Sequence, residues 1–328
     1  MLKTRSSALS FVRGPVQERL DRVTGELEAM VPAGFDLIDE INDYLFANHG
    51  KMFRPTLLLL ANEVGNRPGR DAVKLAAIVE LLHVATLVHD DAVDHSVRRR
   101  GMPTVNARWT HQVAIIMGDY LYSRAVIEIT ELGDIEATRL LAHTANLMTV
   151  GEMRQLVSHD ALQFSRADYN LLCECKTASL LGTACELGAM SGEPAYREPL
   201  RGYGYELGMV FQIIDDLLDY TSSPDVTGKP RGQDLREHKV TLPLIAALER
   251  MSASETAMVE RLFDDPEPSE EIVDEVIDAV VAAGGIDAAR AEADRLAGRA
   301  RERLGELPEG PACEALSLAV DYVVKRKR

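Results

Sequence analysis

Apolar residues recur every three to four positions along most of the chain, while the alternating pattern of a half-buried strand between Gly and Asn turns is almost absent. This periodicity predicts helices over 15–31, 34–48, 52–64, 70–95, 104–130, 134–158, 166–190, 195–220 and 239–250, with several more after 254. Turn-rich clusters punctuate them: NRPGR at 66–70, SGEP at 191–194, SSPDVTGKPRG at 222–232 and DDPEP at 264–268. Two segments, LAAIVELLHVATLVHDDAV at 75–93 and LGMVFQIIDDLLD at 207–219, are apolar nearly all round until their carboxylates appear. Helices of that kind lie inside a large bundle with neighbours on every side. After 254 the pattern becomes amphipathic and rich in Ala and Glu, with its charges on a solvated face. No repeat of 20 to 50 residues and no long linker is evident, so the expectation is one all-α domain over 1–328.

Composition narrows the function. The 328 residues are 46% hydrophobic and 27% charged, which supplies a core and excludes low-complexity disorder and collagen. Lys and Arg total 36 against 52 Asp and Glu, and a net charge of -16 argues against a nucleic-acid backbone binder. Cys173, Cys175, Cys185 and Cys313 have neither the density of a disulfide scaffold nor the paired spacing of a zinc site. The first twenty residues lack an apolar signal core and no later stretch reads as a transmembrane segment, so a cytoplasmic protein is expected.

The chemistry concentrates in a duplicated pattern, Asp-Asp-x-x-Asp: Asp90, Asp91 and Asp94 in HDDAVD, and Asp215, Asp216 and Asp219 in IDDLLD. A spacing of four puts Asp90 and Asp94 on one helical face, as it does Asp215 and Asp219. Simple helix caps do not account for them, because acidic residues favour a helix N-terminus and these fall late in their helices, against the macrodipole. Uncompensated burial would cost several kcal/mol per charge. All-oxygen ligands without His or Cys point to a hard cation, most simply Mg2+, which keeps waters and shares phosphate oxygens. An EF-hand is excluded by the missing central Gly and final Glu. Lys51, Arg54, Arg99, Arg100, Lys176, Lys229 and Lys239 lie near helix breaks. Each alone reads as a solvated charge; beside twin acidic clusters they suggest a site for phosphorylated substrates. His83, seven residues before Asp90, shares its helical face.

With these motifs the chain resembles the trans-isoprenyl diphosphate synthases, the polyprenyl synthetase family. The resemblance runs through GKMFRP at 50–55, ELLHVATLVHDDAVDHSVRRRGMPT at 80–104, GEMRQ at 151–155, YNLLCECKTASLLGTACELGA at 169–189 and GMVFQIIDDLLDYTSSPDVTGKPRGQDLREHKVTLP at 208–243. One departure is His49, where the family commonly has a second Gly. The resemblance implies an all-α, isoprenoid synthase-type bundle around a central catalytic cavity, usually a homodimer. It joins an allylic prenyl diphosphate to isopentenyl diphosphate with Mg2+. It further implies that Asp90, Asp94, Asp215 and Asp219 hold Mg2+ on the allylic diphosphate, with Asp91 and Asp216 supporting. Arg99, Lys176, Thr177, Gln212, Lys229 and Lys239 would grip that diphosphate, Lys176 among the catalytic set. Lys51, Arg54, His83 and Arg100 would bind isopentenyl diphosphate without metal. The basic tail VVKRKR either approaches that second site or ends as a solvated terminus.

Short-chain members commonly place aromatic residues four and five positions before the first Asp of the motif. Here those positions are Thr86 and Ala85, both small, which implies an open tunnel and a product of about 25 to 50 carbons, with geranylgeranyl diphosphate as the alternative. A terpene cyclase fits less well, since IDDLLD is not its mixed Asn/Ser/Glu motif. An inactive accessory subunit would show one eroded Asp cluster, and both are intact.

Overall fold

The computed structural model describes residues 3–47, 50–66, 68–69, 71–99, 101–157, 162–221 and 231–326. In chain order the elements are α1 Lys3–Arg13, α2 Gln17–Met30, α3 Asp36–Phe46, α4 Phe53–Glu63, α5 Ala72–Val93, a hairpin of β1 Arg98–Arg99 and β2 Met102–Pro103, α6 Val105–Arg108, α7 His111–Glu131, α8 Ile135–Val157, α9 Arg166–Cys173, a π-helical turn Glu174–Ala178, α10 Ser179–Met190, α11 Arg197–Thr221, α12 Gln233–Arg236, α13 Leu242–Leu248, α14 Ala253–Asp264, α15 Glu270–Ala282, α16 Gly285–Leu304 and α17 Pro311–Val324. The all-α expectation holds; among the described residues β structure is confined to the hairpin, in which Arg99 pairs with Met102.

Local signals explain where the boundaries differ from the periodicity. The expected helix 104–130 is two helices, because Thr104 and Thr110 each cap a new start: their hydroxyls accept from the amides of Ala107 at 3.3 Å and Val113 at 3.1 Å. The expected helix 166–190 is continuous in direction but carries the π turn in its middle, one extra residue in the ladder. The N-terminal helix α1 was not indicated by the polar start of the chain.

The single domain expected over 1–328 is described as two compact units, each assembled from three stretches: Met1–Ala145, Thr183–Arg201 and Leu307–Leu316, and Asn146–Gly182, Gly202–Glu306 and Ser317–Arg328. In the first, α2, α4 and α7 pack against α5, which explains its all-round apolarity. Leu75, Ile78, Leu81, Leu82 and Val88 of α5 are buried; each such side chain contributes about 1.5–3 kcal/mol. By length and mean hydropathy (1.6) α5 is apolar enough to cross a bilayer, but 67% of that window is buried inside the protein, as befits a core helix. In the second unit α13 is buried on every side beneath α9, α15 and α16.

Candidate active site

In the first unit the motif HDDAVD closes α5. Asp94 is its C-cap and still donates its amide to the Asp90 carbonyl at 2.8 Å, so Asp90 and Asp94 share the helical stripe that also carries His83 and Thr86. Asp90 is half-buried and Asp94 exposed. Asp91, about 100° round the helix, is buried, and its two oxygens accept from Arg99 Nε at 2.9 and 2.8 Å. The hairpin that returns the chain after the motif therefore delivers Arg99 back to it.

Lys51 and Arg54 flank the start of α4, where Met52 takes a left-handed conformation (φ 45°) and its carbonyl accepts from the Thr56 amide at 3.0 Å. A helix N-terminus favours anions, and α4 packs against α5, which carries His83. A cavity of about 260 Å³ opens along α5 beside Glu80, Val84, Leu87, Val88 and Asp91, with Tyr44, Phe46 and Arg99 on its walls. Neither Ala85 nor Thr86 is part of that lining. The two chain-length positions separate: Ala85 is 1% exposed in the packed face of α5, whereas Thr86 is half-buried on the Asp90 stripe, its hydroxyl donating to the His83 carbonyl at 2.8 Å.

In the second unit IDDLLD lies near the end of α11. Asp216 is buried; its Oδ2 accepts from the Tyr169 hydroxyl at 2.5 Å and its Oδ1 from Gln212 Nε2 at 2.8 Å. Gln212 Oε1 in turn accepts from the Thr177 hydroxyl at 2.9 Å. Burial pushes the Asp216 carboxyl up to about 7, against the lowering effect of its hydrogen bonds. Asp219 caps α12, accepting from the amides of Gln233 at 3.0 Å and Asp234 at 3.1 Å, and is likewise raised by burial. Asp215 pairs with Arg326 at 2.8 Å, and the Arg326 guanidinium also lies 4.2 Å from the Phe211 ring centroid. Arg326 of the C-terminal tail, 11% exposed, is therefore held at the second aspartate motif.

Lys176 and Thr177 ride on the π turn. Lys176 Nζ meets Glu152 at 2.6 Å and Gln155 at 3.0 Å, so the GEMRQ motif holds this lysine. Two glycines permit the approach: a Cβ on Gly151 would lie 2.7 Å from Cys175 Cβ, and one on Gly208 would lie 2.5 Å from Ala178 Cα. Gly208→Ala should therefore cost about 1–3 kcal/mol in a urea melt, because the atom in the way is backbone. Lys239 pairs with Glu237 at 2.7 Å. Arg100 and Lys229, like His49, lie outside the described residues. Tyr169 and Glu152 were not singled out from the sequence, and Arg326 entered only as part of the tail VVKRKR. The partner of Tyr169, Asp216, lies 47 positions away on α11, so no spacing within α9 could reveal it.

Among the described residues no three side chains form a ready metal cage. The donor set nonetheless fits Mg2+: each motif presents carboxylate oxygens one helical turn apart, and in the second motif burial and mutual repulsion already disfavour the negative charges. A hard divalent cation that shares its remaining sites with water and phosphate would relieve this.

The family model described as polyprenyl synthetase matches residues 35–280. The heptaprenyl diphosphate synthase component 2 of Bacillus subtilis is 31% identical over 314 residues, spanning 95% of this chain and 89% of that protein. The geranyl-diphosphate-specific all-trans-nonaprenyl-diphosphate synthase of Rhodobacter capsulatus is 38% identical over 293 residues, 88% of this chain and 90% of that one. Among solved structures, a polyprenyl synthase from Caulobacter crescentus, complexed with calcium and isoprenyl diphosphate, superposes with a TM-score of 0.92 at 32% identity, covering 98% of both chains. By family model, by relatives across most of its length and by fold, the chain belongs to the polyprenyl synthetase family.

Proposed function

We propose that this protein condenses an allylic prenyl diphosphate, such as farnesyl diphosphate, head to tail with isopentenyl diphosphate to build an all-trans polyprenyl diphosphate longer than twenty carbons. The observation that carries the reading is the pair of intact Asp-Asp-x-x-Asp motifs, each accompanied by its own cationic and amide partners. Asp90, Asp94, Asp215 and Asp219 hold Mg2+, which when bound neutralises the charge developing on the departing pyrophosphate. Arg99 and Lys176 add positive charge to that grip. Lys51, Arg54 and His83 hold isopentenyl diphosphate at the start of α4, which places its double bond against the allylic carbon and converts the attack into a local event. The apolar walls of α5 keep water from a carbocation that would otherwise be hydrolysed. No nucleophilic side chain is required.

The relatives named for seven and nine prenyl units support a product of about 25 to 50 carbons, and the small residue at Thr86 is in keeping with it. The reading includes a homodimer, supported by a stripe on α7 where Ile115, Ile116, Tyr122, Val126 and Ile127 are exposed. It also places the protein in the cytoplasm, where both diphosphates are dissolved.

Two outcomes test this. Pyrophosphate release should require both substrates and stop on chelation with EDTA, returning with excess Mg2+. Lys51→Ala should raise the KM for isopentenyl diphosphate by about tenfold or more while leaving the allylic KM within twofold, as loss of one charged phosphate contact implies. Equal rises in both would remove the assignment of Lys51 to one substrate.

A further inference from the structure

The motif GEMRQ at 151–155 takes no direct part in the reaction proposed above, yet two of its side chains converge on one lysine. Glu152 and Gln155, three residues apart on α8, share a half-buried face, while Met153, Arg154 and Leu156 are exposed. Lys176 Nζ meets Glu152 Oε2 at 2.6 Å and donates to Gln155 Oε1 at 3.0 Å. The π turn and α8 are pressed together there: a Cβ on Gly151 would lie 2.7 Å from Cys175 Cβ and 3.3 Å from the Lys176 amide nitrogen. Lys239, by contrast, pairs with Glu237 two residues away, which is exposed. Glu152 has a second peculiarity. Its other oxygen, Oε1, is buried and has no hydrogen-bond partner among the described residues. A buried carboxylate oxygen without a donor costs stability, so the fold alone gives no reason for a glutamate at this position. The lysine gives one.

We propose that Glu152 is a positioning residue for Lys176, holding its ammonium in place for the allylic diphosphate, and that Gln155 is the neutral acceptor which a phosphate oxygen replaces. This inference rests on the functional reading above, in which Lys176 grips that diphosphate, and extends the grip to a residue on α8. A lysine is a compact charge on a long flexible stem, and the freedom of that stem must be surrendered when a phosphate binds. The charge-assisted bond to Glu152 surrenders it in advance. The two acceptors are unequal: the contact to Glu152 is short and joins opposite charges, whereas that to Gln155 is longer and its acceptor is neutral. An arriving phosphate oxygen therefore displaces Gln155 and leaves Glu152 in place. Glu152 acts through the lysine alone and is not a ligand of the metal.

The test takes Glu152→Gln, Lys176→Met and the double variant in the full-length protein. Its readouts are calorimetric binding of inorganic pyrophosphate with Mg2+, equilibrium dialysis of Mn2+ alone, thermal melting and steady-state kinetics. Glu152→Gln keeps the side-chain shape and deletes only the charge. It should weaken pyrophosphate binding and raise the allylic KM about tenfold, with kcat and the KM for isopentenyl diphosphate within about twofold of wild type. Mn2+ binding and the thermal midpoint should match the wild type. In the Lys176→Met background the same substitution should add less than about twofold, because its effect passes through the lysine. Unchanged or tighter pyrophosphate binding in Glu152→Gln would overturn the proposal, as would full additivity in the double variant. A loss of Mn2+ binding would make Glu152 a metal ligand, and a lowered midpoint with both KM values unchanged would make it a structural tie; either also overturns the proposal. Failure of the wild-type protein to bind pyrophosphate or turn over would instead refute the functional reading on which it rests.

Discussion

Asp90→Asn should lower kcat by roughly a hundred- to a thousandfold with saturating substrates, the loss typical when one electrostatic stabiliser of a developing anion is removed. The substitution keeps the volume and one acceptor oxygen but deletes the charge that a hard cation requires. Asp90 is half-buried at the end of α5 and shares its stripe with the exposed Asp94, so the thermal midpoint should stay close to the wild-type value. That separation is what makes the measurement informative: a fall in kcat with an unchanged melt locates the defect in chemistry. Added Mg2+ should restore part of the rate if Asp94 alone retains the ion weakly. Full activity in Asp90→Asn would mean that HDDAVD is a structural helix end and nothing more.

Thr86→Phe should shorten the product to twenty carbons or fewer without abolishing turnover. Thr86 lies one helical turn before Asp90, about 6 Å along the axis, on the side of α5 that also carries His83. A chain growing away from a diphosphate held at Asp90 passes that position first, and a phenyl ring there blocks it where the threonine does not. The companion position behaves differently. Ala85 is 1% exposed in the packed face of the same helix, on the side of His89, whose ring lies where a Cβ on Gly118 of α7 would go. Ala85→Phe must overfill the packing around a fully buried position, costing about 1–3 kcal/mol, so a changed product there would mix length control with distortion of α5. Chromatography of the dephosphorylated products of Thr86→Phe checks the first expectation; a product unchanged in length would place the tunnel elsewhere.

This contrast shows how far the sequence could be read and where it stopped. Long apolar runs were enough to locate α5 and the second half of α11, because 75–93 and 207–219 are apolar nearly all round and must be central, and the paired carboxylates at four-residue spacing were visible as stripes without any coordinates. Which of two neighbouring small residues faces the site was not visible, since an all-apolar helix has no polar side to orient it. The π turn at Glu174–Ala178 was equally hidden: it adds one residue to a ladder whose side chains look helical throughout, and yet it carries Lys176 and Thr177. The Arg326 pairing with Asp215 was out of reach for another reason, for it joins residues more than a hundred positions apart by charge alone. Thr104 and Thr110, by contrast, were readable caps that the smooth apolar period overrode.

The central claim is elongation of an allylic diphosphate past twenty carbons. Its most direct test incubates the purified protein with labelled isopentenyl diphosphate, farnesyl diphosphate and Mg2+, then separates the dephosphorylated products by chain length. Labelled polyprenols longer than twenty carbons, absent when either substrate or Mg2+ is omitted, are the expected result. A product that stops at twenty carbons would contradict the chain length, and no elongation with any allylic primer, or a cyclised hydrocarbon, would contradict the function itself.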